Sequence, residues 1–206
     1  GLRNYATVLS DERFWQAIWF NIRYAIMLDI GVILISLLIA LALNNLKGKT
    51  STLFRSIFFI PAVLSLVTVG LIWNELFLRA FPPIGEALGI EWLSKSILGS
   101  PATAIFGILI VNLWQGCATP TVLLLAGLQS VPSDLYEAAT IDGANAWQKF
   151  KNITVPFLIP IITMLVITTT KGGLTIFDYI QAMTAGGPAQ STEAIGILIY
   201  RHAMSE

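Results

Sequence analysis

From Ser96 to Ser133 the chain carries no Asp, Glu, Lys or Arg. About 20 apolar residues, at ~1.5 Å each, suffice to cross ~30 Å of hydrocarbon as a helix. This run is therefore long enough for a span with turns to spare. Three more runs follow the same rule: Ser56 to Asn74, extended to about Leu78; Asn152 to Thr170; and Tyr24 to Asn44, broken only by Asp29. Backbone in lipid has no water to bond, and helices satisfy its groups within one segment. The expectation is an all-α, polytopic membrane protein with spans at about 24–44, 56–78, 101–128 and 156–180. Pro156 and Pro160 are placed in the first turn of the last span, where a missing N–H has no partner to lose.

Composition agrees with lipid as the solvent. Charged residues are 12% of 206, against about a quarter in soluble domains, and apolar residues are 55%. Mean hydropathy is +0.75. The formal net charge is zero, which argues against a nucleic-acid partner, since phosphate binding needs a basic excess. Cys117 is alone, so it forms no intrachain disulfide, and no Cys/His cluster stands at metal-ligand spacing. No metal or cofactor is expected. Lys49-Thr50-Ser51 has no Gly-rich run before it, so ATP binding by this chain alone is not expected. The chain starts without a basic leader and reads as a piece of a longer protein.

Residues 1–23 mix Phe14, Trp15, Trp19 and Phe20 with charges, and read as an interfacial segment. Lys and Arg mark cytoplasmic loops. Lys47, Lys49 and Arg55 follow the first span, and Lys149 and Lys151 follow the third; the intervening linker has only Arg79 and Lys95. The loop 129–155 is accordingly cytoplasmic. Residues 181–206 form an outer loop and short helix, with Ser191 or Thr192 as its cap and Glu193 near its positive end.

The loop 129–155 is far longer than a connection between spans requires. Asp134 and Glu137 form a capping-box-like pair, and Gly143 suits a left-handed helix stop. Between them Ala138, Ala139, Ala144 and Ala146 keep the surface low. Leu135, Tyr136 and Ile141 supply apolar contacts, and Glu137 a charge. Two readings fit these residues: a docking helix for another protein, and an amphipathic helix lying on the membrane surface.

The series Glu137, Ala138, Ala139, Gly143, Ile153, Pro156 resembles the signature loop of ABC importer permeases, of the MetI-like transmembrane class. The strings LAGLQSVPSDLYEAATIDGANAWQKF, Asn112 to Gly116, Phe177-Asp178 and Thr184 to Glu193 narrow the resemblance to the binding-protein-dependent sugar permease branch. It covers nearly the whole chain. It implies a helical bundle with one further span before this stretch and one after it. It also implies a cytoplasmic ABC ATPase gripping the loop through Glu137, Ala138, Ala139, Asp142 and Gly143. Other implied partners are a second permease subunit, an extracellular or periplasmic solute-binding protein, and a sugar or oligosaccharide cargo. The resemblance further implies a prokaryotic cell membrane as the setting and a transport subunit, not an enzyme, as the role.

Ionisable and amide groups within spans default to functional candidates. Lys171 falls roughly 22 Å along a helix counted from Pro156, and Asp178 seven residues on, about 10 Å further and near the same face. They either line a watery path and bond sugar hydroxyls, or Lys171 reaches outward and Asp178 lies beyond the membrane. Asn112 and Gln115 lie three apart on one face, for the substrate path or for an interhelical hydrogen bond. Trp73, Trp92 and Trp114 fit interface anchoring or sugar stacking. Lys171 leaves room for a glycerol phosphate or other polyol derivative as cargo. An ion-coupled secondary transporter would place acids near the midplane, whereas here they sit in loops. An intramembrane enzyme would need a catalytic pair, and the only histidine is His202 near the end.

Overall fold

A computed structural model describes residues 2–46 and 48–204. Lys47, counted in the charge pattern, lies outside the described residues, as do the side chains of Lys49 and Ser51. Among the described residues there is helix and no strand. The elements are α1 (Arg3–Leu9), α2 (Glu12–Asn44), α3 (Gly48–Phe59), α4 (Leu66–Glu75), α5 (Phe81–Leu88), α6 (Ala104–Gly116), α7 (Ala118–Gln129), α8 (Ser133–Ile141), α9 (Ala146–Lys149), α10 (Val155–Leu174), α11 (Asp178–Met183) and α12 (Ile195–Met204). The chain is therefore an all-α membrane protein. Two helices are long and apolar enough to cross a membrane, or four if each of two bent pairs is one span.

The helix ends differ from a simple apolar reading for identifiable reasons. α2 runs unbroken from Glu12 to Asn44, so most of the segment read as interfacial is continuous with the first span. The stretch expected at 56–78 is bent by 96° between Val63 and Leu66. Pro61 sits in the turn there, and Ser65 is extended. The stretch expected at 101–128 is bent by 46° at Cys117, where Pro120 has no N–H for the carbonyl of Gly116.

Pro156 and Pro160 do not open a helix. α9 and α10 join through a π-helical turn, Phe150–Thr154, into one rod from Ala146 to Leu174. Val155 N–H reaches back to Phe150 O. That widened turn directly precedes Pro156, whose ring would otherwise crowd the carbonyl of Asn152. The same device, Leu76–Ala80, precedes Pro82 and Pro83 in α5.

The chain forms two compact units. One comprises residues 29–63 and 114–169. Its core is Ala40, Leu43, Leu124, Leu125, Leu128, Leu158 and Leu165. Gly127 lets α7 come against Leu158 and Ile161 of α10, where an added Cβ would collide with both side chains. Small residues at such seams are what lets helices associate when lipid removes the hydrophobic drive between them.

The other unit comprises the residues up to 28, 64–113 and 170 onwards. Here α11 lies on α4, with Ala182 Cβ 2.8 Å from where Gly70 would carry its own. Trp73, Phe77 and Phe81 cluster with ring centroids 5.4–6.3 Å apart. Glu193, 5% exposed, accepts from Arg13 of α2 (2.8 Å) and from Arg201 of α12 (2.5 Å). Glu193 stands just before α12, near its positive end, yet spends its carboxylate on a double ion pair and not on a helix amide. Nor does Ser191 or Thr192 cap α12: Thr192 Oγ1 donates to Gly187 O at 2.6 Å, and the amide of Ile195 takes Asn21 Oδ1 instead.

Candidate functional site

The loop between α7 and α10 is two short helices with a left-handed hinge. α8 begins at Ser133 behind Pro132, and no side chain caps it. The expected Asp134–Glu137 box is therefore not formed: the helix starts one residue early and puts Asp134 inside the first turn, where its charge faces the positive helix end. The box forms instead at the second helix. Asn145 Oδ1 accepts from Gln148 N–H at 2.9 Å, and Gln148 Oε1 accepts from Asn145 N–H at 2.8 Å.

Gly143, at φ +77°, makes the turn between them. Its N–H bonds Thr140 O at 3.1 Å, and Ala144 N–H bonds Ala139 O at 2.9 Å, so α8's end carbonyls are satisfied in the manner of a left-handed stop. Two ties hold the loop. Tyr136 Oη and Thr154 Oγ1 are 2.8 Å apart, and Lys149 Nζ donates to Thr140 Oγ1 at 2.7 Å.

No residue of α8 is buried. Glu137, Ala138, Asp142 and Gly143 are exposed, while Ala139 is half-buried. Ile141 is 87% and Trp147 67% exposed. Low alanines, one glycine, two carboxylates and two large apolar side chains are thus left uncovered by this chain. The ties and the capping box use Tyr136, Thr154, Lys149, Thr140, Asn145 and Gln148. Of these only the Asn145–Gln148 spacing carries a sequence signal, that of a capping box.

Asn112 donates to Tyr24 Oη at 2.9 Å, joining α6 to α2, and Tyr24 is fully buried. Gln115 is buried. Lys171 and Asp178 are both exposed. The helical repeat that would place these two on one face ends at Leu174, and Asp178 opens a new helix after a break at 175–177. Lys171 therefore lies in the last turn of α10, a position favourable to a cation. Among the described residues no group of three or more His, Cys, Asp or Glu is placed to hold a metal.

The family described as binding-protein-dependent transport system inner membrane component matches residues 32–204. The multiple sugar-binding transport system permease protein MsmF of Streptococcus mutans is 46% identical over 204 residues, which is 98% of this chain and 70% of that protein. The trehalose/maltose transport system permease protein MalF of Thermococcus litoralis is 36% identical, over 98% of this chain and 68% of that protein. Among solved structures, a chain of a bacterial ABC transporter involved in the import of the acidic polysaccharide alginate superposes with a TM-score of 0.84. It covers 100% of this chain and 73% of its own length at 23% identity, a likeness of fold.

Proposed function

We propose that this chain, which belongs to the family of binding-protein-dependent transport system inner membrane components, is a transmembrane subunit of an ATP-driven importer of sugars or oligosaccharides. The relatives named above are permeases of sugar transport systems, and the cargo class rests on them. The chain lacks a nucleotide loop, so hydrolysis belongs to a separate ATPase subunit. A second permease completes the pathway, and a solute-binding protein delivers cargo to the outer side.

The observation that carries the coupling role is α8, in which no residue is buried, with its braced hinge at Gly143. Here Glu137, Ala138 and Asp142 are exposed together, and the ties to Thr154 and Lys149 join the surface to the foot of the rod that ends at Leu174. Closure of the ATPase pair displaces α8, and the rod carries that displacement toward the outer side. The states exchanged are outward-open and inward-open, each selected by the partner that binds it better.

The test is proximity. With Cys117 replaced by Ser, Ile141→Cys in the assembled transporter is treated with a short thiol-to-amine cross-linker. Capture of an ATP-hydrolysing subunit supports the reading. Labelling of the same cysteine from outside intact cells, with no capture, would sink it.

A further inference from the structure

Asn21 is 2% exposed, and it spends its amide on the backbone of two other helices. Nδ2 donates to Leu174 O at 2.8 Å and to Gly173 O at 3.3 Å, and Oδ1 accepts from Ile195 N–H at 2.9 Å. Those carbonyls are among the last four of α10, and that amide is the first of α12. Both are groups a helix end leaves without an internal partner. One side chain on α2 thus caps the end of one helix and the start of another.

One turn further along α2, on the same face, Ala25 meets α10 directly. A Cβ on Gly173 would lie 2.6 Å from Ala25 Cα. The end of α10 is therefore gripped by α2 through a backbone-close contact and two hydrogen bonds. Buried amide bonds of this kind are either made or broken, because a half-made one leaves unsatisfied groups in a low-dielectric setting. A packed apolar seam would instead yield by degrees.

We propose that Asn21 is a positioning residue for transport: its amide latches the end of α10 to the start of α12 in the resting state. The latch opens when the ATPase subunits close. The inference rests on the functional reading above, since α10 is the helix into which the exposed loop leads. It adds that the resting state is held at the far end of that helix, by a side chain buried against the backbone of its own chain.

The experiment uses the full transporter, with both permeases and the ATPase, in nanodiscs of phosphatidylethanolamine and phosphatidylglycerol. Basal ATP hydrolysis is measured per assembled complex, with neither binding protein nor sugar added. Asn21→Leu keeps the volume and removes the latch. Asn21→Asp keeps the acceptor for Ile195 and removes both donations to α10. Each is expected to raise basal hydrolysis about tenfold, the shift that corresponds to ~1.4 kcal/mol taken from the resting state. A merely structural asparagine would lower the amount of complex and leave the rate per complex unchanged. An unchanged rate in both variants, or failure of both to assemble, would overturn the proposal. A wild-type assembly that hydrolyses no ATP would instead count against the functional reading itself.

Discussion

At Glu193 a single buried carboxylate is bonded by two guanidiniums, from Arg13 at 2.8–3.2 Å and from Arg201 at 2.5 Å. Arg13 and Arg201 are each about 40% exposed, so solvent screens part of the attraction. The larger effect comes from removing the acid, which leaves two cations converging without a counter-charge. Glu193→Gln is expected to cost about 2 kcal/mol, read as a drop of several degrees in the unfolding temperature of the solubilised complex. Asp178→Asn, at an exposed residue, is the matched control and should leave that temperature in place. A residue-scale contrast holds at Tyr24, whose hydroxyl receives Asn112. Tyr24→Phe strands that amide and should cost about 0.6–1 kcal/mol without altering apparent cargo affinity. A changed affinity in uptake assays would favour a place for Asn112 in the substrate path.

Among the elements, the pair α8 and α9 depends on local chemistry more than on packing, because neither buries a residue. Asn145→Ala removes the acceptor for Gln148 N–H and is expected to cost α9 about 1 kcal/mol. Hydrogen exchange at the amides of 146–149 reads this as roughly fivefold faster exchange. Unchanged exchange would mean that the Lys149–Thr140 tie holds the helix by itself. The existence of α8 and its glycine stop was legible because Gly143 and the spacing around it are local signals. The position of the capping box was not, since Asp134 and Asn145 each stand three residues before a Glu or Gln. Choosing between them needed the register set by Pro132. The spans were legible as lengths of uncharged chain, but not as shapes. Bends at Cys117 and between Val63 and Leu66 arise where a proline deprives the backbone of a donor, and the π turns at 76–80 and 150–154 absorb prolines without a break. Sequence shows the proline but not which remedy the neighbours allow. The same limit applies to Lys171 and Asp178, whose shared helical face assumes a repeat that stops at 175–177. Asn21 gave no signal at all, because its partners are backbone groups more than 150 residues away.

For the molecule as a transporter, the decisive question is whether the hinge at Gly143 serves the chain's own fold or a partner. A Cβ built there meets nothing within 4 Å, so a larger side chain creates no clash inside this chain. The cost is conformational: at φ +77° an L-residue other than glycine is disfavoured by about 1–2 kcal/mol, with Asp among the more tolerant. Gly143→Ala adds that strain with one methyl of bulk, and should keep most of the uptake. Gly143→Asp adds no more strain than Ala, but puts a charge and three more heavy atoms on the face that carries Glu137 and Asp142. If an ATPase groove closes over that face, a buried unpaired carboxylate there costs far more than the ~1.4 kcal/mol that makes a tenfold change. The expected result is permease in the membrane at wild-type amounts, uptake reduced by at least about tenfold, and hydrolysis no longer responsive to the binding protein. Equal loss in both variants would place the requirement in the backbone turn, and full uptake by Gly143→Asp would remove the hinge from the coupling surface.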